Sequence, residues 1–272
     1  ASWSAASEAL PRYRLTIWVE ARLTWNSALS QRVGVSDNTV IKFCNHLGYE
    51  KFTEFKKEFT SYAHSELLIY NKIGGETAPV SEGDSVWSMI QNDAIASLQE
   101  TLSDPQNHSS LTELLARMEK AKHIYVTGGR LSGIAAAMLA NKLRYLNLQV
   151  HDLSCGTVGD YIDQTALVQP EDLVIAISFP RYTKRVVTAL EDMHRRGVPI
   201  ALITDKGLSP VHPFADIVFH CATDSSAFLP CYTGCLALID VICQAVCMEH
   251  RSEITEYVRD LEKRLLAQGV WM

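Results

Sequence analysis

From His123 to Cys221 the chain alternates short apolar runs with helix-length amphipathic segments, and this rhythm restricts the fold more than any other feature. His123–Thr127, Leu148–Leu153, Asp172–Phe179, Pro199–Thr204 and Asp216–Cys221 read as strands. The run Asp172–Phe179 (DLVIAISF) is apolar almost throughout, as expected of a strand covered on both faces. Between the strands, Ser132–Leu146, Val158–Leu167 and Thr183–Arg196 read as helices, the last closed by Gly197. Cys231–Glu249 and Ile254–Gln268 follow as closing helices. Strands alternating with helices imply βαβ units, and so a five-stranded parallel sheet between helical layers.

The first part of the chain has a different character. Residues 1–64 read as short helices, and the breaker-rich stretch Asn71–Pro79 reads as a linker. Ser85–Leu102 and Leu111–Lys120 are amphipathic helical stretches, the first behind the N-cap candidates Asp84 and Ser85. The expected organisation is a helical head over 1–64, a linker and connecting helix over 65–108, and an α/β domain over 109–272. Net charge is −6, unevenly placed. Residues 1–64 hold eight Lys/Arg and six Asp/Glu, or +2; the remainder holds seventeen and twenty-five, or −8. A mildly basic head on an acidic body fits a nucleic-acid contact confined to the head.

Seven cysteines occur without a CxxC pair, so small buried thiols are expected, with no metal site and no cofactor. The longest apolar runs are strand-sized, far below the roughly 20 residues of a membrane span. With no apolar signal-peptide core at the N-terminus, a cytoplasmic protein without membrane contact is expected.

The segment Ala28–Gly48 has the pattern of a helix-turn-helix. Leu29 and Val33 belong to a first helix, Gly34 gives the tight turn, and Ser36 caps a second helix. Val40, Phe43, Cys44 and Leu47 form one apolar face at i, i+3, i+4, i+7, and Gly48 ends the helix. The opposite face carries Asp37, Asn38, Thr39, Lys42, Asn45 and His46. Asn38 and Thr39 are candidates for base edges in a major groove, Lys42 for phosphate, and Ser36 and Asn45 for further DNA contacts.

In a parallel sheet, ligands sit beyond the carboxyl ends of the strands. After the first strand comes Gly128-Gly129-Arg130-Leu131-Ser132-Gly133, opening a helix. Gly128 and Gly129 let backbone N–H groups approach an anion, Arg130 offers a planar fork, and Ser132 a cap or a ligand hydrogen bond. After the third strand, Ser178 and Thr183 bracket a loop containing Arg181. Thr183 serves either as a helix cap or as a phosphate contact. Ser225 or Ser226, after the fifth strand, would complete a pocket or belong to an ordinary polar loop.

The string GVSDNTVIKFCNHLGYEKFTEFKKEF is similar to the head of RpiR-type regulators, which join such a head to a sugar isomerase (SIS) domain. That resemblance implies a further helix packed through Phe52, Phe55 and Phe59. Residues 1–27, with Trp3, Trp18 and Trp25, depart from the family. From about 110 to 250 the chain resembles an SIS domain, in GGRLSG, DLVIAISFPRYT and PIALITDKGLSP. This implies a flavodoxin-like parallel sheet. The family's phosphate loop commonly reads Ser-x-Ser-Gly-x-Thr. Here Ser178 and Thr183 match, while Pro180 and Arg181 replace the inner serine and glycine. Arg130 likewise stands where a second spaced glycine is common.

The expected protein is a DNA-binding transcription regulator. It would bind double-stranded operator DNA and sense a small phosphorylated sugar or related anion, as a homodimer or homotetramer. The alternatives are a sugar-phosphate isomerase, for which no base constellation stands out among His151, Asp152, Asp160, His212 and His220, and a ligand-free oligomerisation module.

Overall fold

The computed structural model describes Lys42, Cys44 and residues 85–154, 156–206 and 209–270. In order these form α1 (Val86–Leu102), α2 (Pro105–Met118), β1 (Ile124–Gly128), α3 (Leu131–Tyr145), β2 (Val150–Asp152), α4 (Val158–Leu167), β3 (Leu173–Ile177), α5 (Lys184–Arg195), β4 (Ile200–Thr204), a 3-10 turn (His212–Phe214), β5 (Ile217–His220), α6 (Thr233–Glu249) and α7 (Arg251–Ala267). All pairings are parallel, in the order β2-β1-β3-β4-β5. The α/β three-layer architecture is therefore as expected.

Alternation along the strands splits the core in two, because successive side chains point to opposite faces. Ile124, Val126, Ile175 and Ile177 join α2, α3 and α6 on one face. Tyr125, Val174 and Ala176 join α4 and α5 on the other, through Tyr161, Val186 and Leu190. β5 is an edge strand, and α2 covers its open groups. The Asn107 amide donates to the His220 carbonyl and accepts from the His220 N–H, both at 2.7 Å, and Ser110 Oγ donates to the Val218 carbonyl at 2.6 Å. Such cover leaves little backbone for another strand to pair with.

Two helices depart from the expected bounds. α2 begins six residues before Leu111: Asp104 accepts from the Gln106 N–H at 2.9 Å, and Pro105 occupies the first helical position. This is a standard start signal, although the apolar periodicity begins only later. α7 begins at Arg251 directly after α6, with a bend of 103° between them. Among the described residues no single helix is long and apolar enough to cross a membrane.

Of residues 1–64, Lys42 and Cys44 are described, and both are helical; Lys42 is exposed and Cys44 fully buried, its thiol pushed up to about 11 by burial. Ser36, Asn38, Thr39, Asn45, the three phenylalanines and the linker lie outside the described residues.

Candidate functional site

β1 and β3 are neighbours in the sheet, but α3 and α5, which follow them, pack on opposite faces. Their divergence opens a crevice at the carboxyl ends of the two strands. A cavity of about 260 Å³ lies there. It is lined by residues 129–132 after β1, by Ser178–Arg181 and Thr183 after β3, and by Leu229, Pro230 and Tyr232 before α6.

The turn after β1 is held close to the helix it starts. A Cβ at Gly128 would run into the Ser132 carbonyl, and one at Gly129 would overlap the Thr183 hydroxyl. The two loops therefore touch through Gly129 and Thr183. The β3 loop is tied to the end of β4: Tyr182 OH donates to Asp205 Oδ1 at 2.8 Å, and Thr204 Oγ1 donates to the Ser178 carbonyl at 2.7 Å. Burial, with Asp205 beside it, holds the Tyr182 phenol far above its usual range. The third wall meets the first through Ser132 and Tyr232, whose hydroxyls lie 3.0 Å apart. Phe179 packs edge-on to the Tyr232 ring at 5.2 Å. Burial raises the Tyr232 phenol, against the Ser132 hydrogen bond, so it is neutral and able to donate.

Helix starts show what such a cavity can hold. α1, α2 and α4 are each capped by a side chain: Ser85, Asp104, and Thr157 in a reciprocal pair with Asp160. α3 and α5, which open into the cavity, have no side-chain cap, and neither do α6, which starts beside the cavity behind Tyr232, and α7. Thr183 stands at the cap position of α5, yet its hydroxyl lies against Gly129. First-turn N–H groups at the positive end of a helix dipole suit an anion.

Arg130 and Arg181 line the same cavity. Among the described residues neither forms an ion pair, and the lining contains no carboxylate or imidazole. Both have positive φ, 58° at Arg130, where ψ is −125°, and 73° at Arg181. These are the two positions at which the resemblance has glycine.

The structure thus brings Gly129, Arg130, Ser132, Ser178, Arg181 and Thr183 together. Gly128 shapes the turn behind them and is not part of the lining. Ser225 is placed elsewhere. Its hydroxyl donates to Asp93 of α1 at 3.0 Å, and Ser226 gives Asp93 two more hydrogen bonds, at 2.7 and 3.1 Å. Those partners come from a helix more than a hundred residues away, which local sequence does not reveal. Tyr232, Leu229 and Pro230 had no local signal either, since they reach the cavity only because α6 packs beside α3.

Asp93 begins a polar stripe on α1. Ser97 Oγ donates to the Ala222 carbonyl at 2.6 Å and accepts from the Gly234 N–H at 3.0 Å; Thr101 Oγ1 accepts from the Ala222 N–H at 3.1 Å. Spaced by four, these residues share one helix face. They grip both ends of the segment that forms the third wall.

A family model described as the SIS domain matches residues 117–245. An uncharacterized HTH-type transcriptional regulator of Haemophilus influenzae is 26% identical over 193 residues, covering 71% of this chain and 66% of its own length. The HTH-type transcriptional regulator YfhH of Escherichia coli K12 is 26% identical over 258 residues, covering 89% and 86%. The sugar isomerase domain of an RpiR transcription factor from Sphaerobacter thermophilus superposes with a TM-score of 0.61 at 23% identity, over 66% of this chain and 99% of that one. Vibrio vulnificus NanR, solved with ManNAc-6P, gives 0.64 at 18% identity, over 97% and 91%. Residues 117–245 therefore match an SIS domain in the C-terminal half, and the relatives of the chain are named HTH-type transcriptional regulators.

Proposed function

We propose that the chain is a DNA-binding transcription regulator, with a head over 1–64 that reads an operator and an SIS domain that senses a small phosphorylated sugar or related anion. One observation carries the sensing half. The starts of α3 and α5, four hydroxyls and two arginines without an ion pair among the described residues line one cavity at the β1/β3 crevice. The names of the relatives and the ManNAc-6P held by NanR support the same reading. Binding, rather than isomerisation, agrees with the lining: moving a proton between C1 and C2 of a sugar needs a base within hydrogen-bond reach. The site offers donors and cations.

In this reading Asn38 and Thr39 meet base edges, while Ser36, Lys42 and Asn45 position the helix on the backbone. A cytoplasmic homodimer or homotetramer carries the heads as pairs, on half-sites about 34–36 Å apart. Exposed apolar side chains such as Trp87, Ile90 and Ile134 suit such self-association.

The test is fluorescence anisotropy of the full chain on the DNA upstream of its own gene, over a salt series, with and without glucose 6-phosphate. Operator affinity should respond to the sugar phosphate. Lys42→Ala should weaken binding at every sequence and reduce the salt slope by about 1. Binding that responds to neither salt nor Lys42→Ala removes the head assignment. Binding indifferent to every phosphorylated sugar removes the sensing assignment.

A further inference from the structure

The cavity has more positive charge than a single phosphate needs. The N-termini of α3 and α5 with the hydroxyls of Ser132, Ser178 and Thr183 offer donors for one phosphate group. Arg130 and Arg181 come in addition, one from each loop. Neither has a carboxylate partner among the described residues.

Their backbones sharpen the point. Only three non-glycine residues among those described have positive φ: Arg130, Asn147 and Arg181. Asparagine tolerates the left-handed region through its short polar side chain, whereas arginine gains nothing there. Two long cationic side chains are thus kept at backbone positions suited to glycine, and both border one cavity. Strained residues at a ligand site point to work done by their side chains. A planar fork on each side of the cavity suits a second carboxylate or phosphate group.

We infer that the ligand carries two anionic groups, a phosphate on the α3 and α5 starts and a second phosphate or carboxylate between Arg130 and Arg181. This rests on the sensing half of the proposed function. A cavity of about 260 Å³, just below the ~300–1,000 Å³ range of such sites, admits a compact ligand.

Isothermal titration of the full chain should use inorganic phosphate, glucose 6-phosphate, fructose 1,6-bisphosphate and 6-phosphogluconate, at one pH and ionic strength. At least one of the two doubly anionic compounds should bind about ten- to a hundredfold tighter than glucose 6-phosphate, the range expected of charge-assisted hydrogen bonds. In Arg130→Gly and Arg181→Gly that preference should shrink to within about threefold. Glycine fits both backbones, so each variant keeps the loop. Unliganded melting temperature confirms folding. Equal affinity for the three sugar phosphates, or a preference that survives both substitutions, overturns the second anionic group and leaves the sensing function standing. No binding of any of the four overturns both together.

Discussion

Arg130 and Arg181 show most directly how a side chain is kept against the preference of its own backbone. A left-handed conformation costs a non-glycine residue about 1–2 kcal/mol. Replacing either by glycine removes that strain but gives the unfolded chain more freedom, an offset of about 0.4–1 kcal/mol. The first magnitude is the larger, so Arg130→Gly and Arg181→Gly should each leave the unliganded protein as stable as the parent or up to ~1 kcal/mol more stable. Urea unfolding midpoints read this, and a clear fall in either variant would show that the arginine is held by native contacts the strain argument omits. Both residues were recognisable in the sequence as departures from a glycine pattern, and both line the cavity. Their φ angles were not, because no local signal marks a left-handed arginine. Ser225 marks the opposite limit: a serine after the fifth strand looks like a pocket residue until Asp93 arrives from α1.

Whole elements were easier to read, where periodicity and punctuation agreed. β3 lies inside its apolar run, α4 matches Val158–Leu167, and Gly197 takes the positive φ of 79° expected after α5. The start of α2 escaped periodicity because its first turn, Pro105-Gln-Asn-His, is polar, and Asn107 turns inward to bond β5 instead of joining an apolar stripe. The docking of α1 on α6 is a tertiary fact of the same kind. It depends on Gly234, where a Cβ would strike the Thr101 hydroxyl and the Ser97 backbone carbonyl. A Cβ at Gly159, near the start of α4, would meet only Thr157 Oγ1 among the described residues, at 3.7 Å. One substitution should therefore have opposite signs in two helices. Gly234→Ala should cost about 1–3 kcal/mol by forcing α1 from α6. Gly159→Ala should gain up to about 1 kcal/mol from helix propensity. Thermal denaturation of the two variants side by side checks this, and a neutral Gly234→Ala would mean that α1 is not clamped as its hydrogen bonds imply.

For the molecule as a whole, the question is how occupancy of the cavity would reach a DNA-binding head. The third wall of the cavity, Leu229, Pro230 and Tyr232, belongs to the segment that Asp93, Ser97 and Thr101 hold onto α1. α1 is also the first described helix after the proposed head and linker in the chain. A ligand that moves Tyr232 against Ser132 therefore acts on the segment α1 grips. An effector shifts a population only by its difference in affinity for the two states, and coupling of ~1–3 kcal/mol corresponds to about 5–150-fold in operator affinity. Linkage makes the effect reciprocal: the operator must change the affinity for the sugar phosphate by the same factor. Titrating the full chain with its tightest-binding sugar phosphate, with and without saturating operator DNA, should return the factor found when operator affinity is measured with and without that compound. Asp93→Ala removes three hydrogen bonds between α1 and residues 225–226 without touching the cavity lining. Both factors should then fall together toward one, while the sugar phosphate still binds. An unchanged factor in Asp93→Ala would mean that the signal leaves the SIS domain by another route, and unequal factors in the parent would show that the two measurements do not report a single coupled equilibrium.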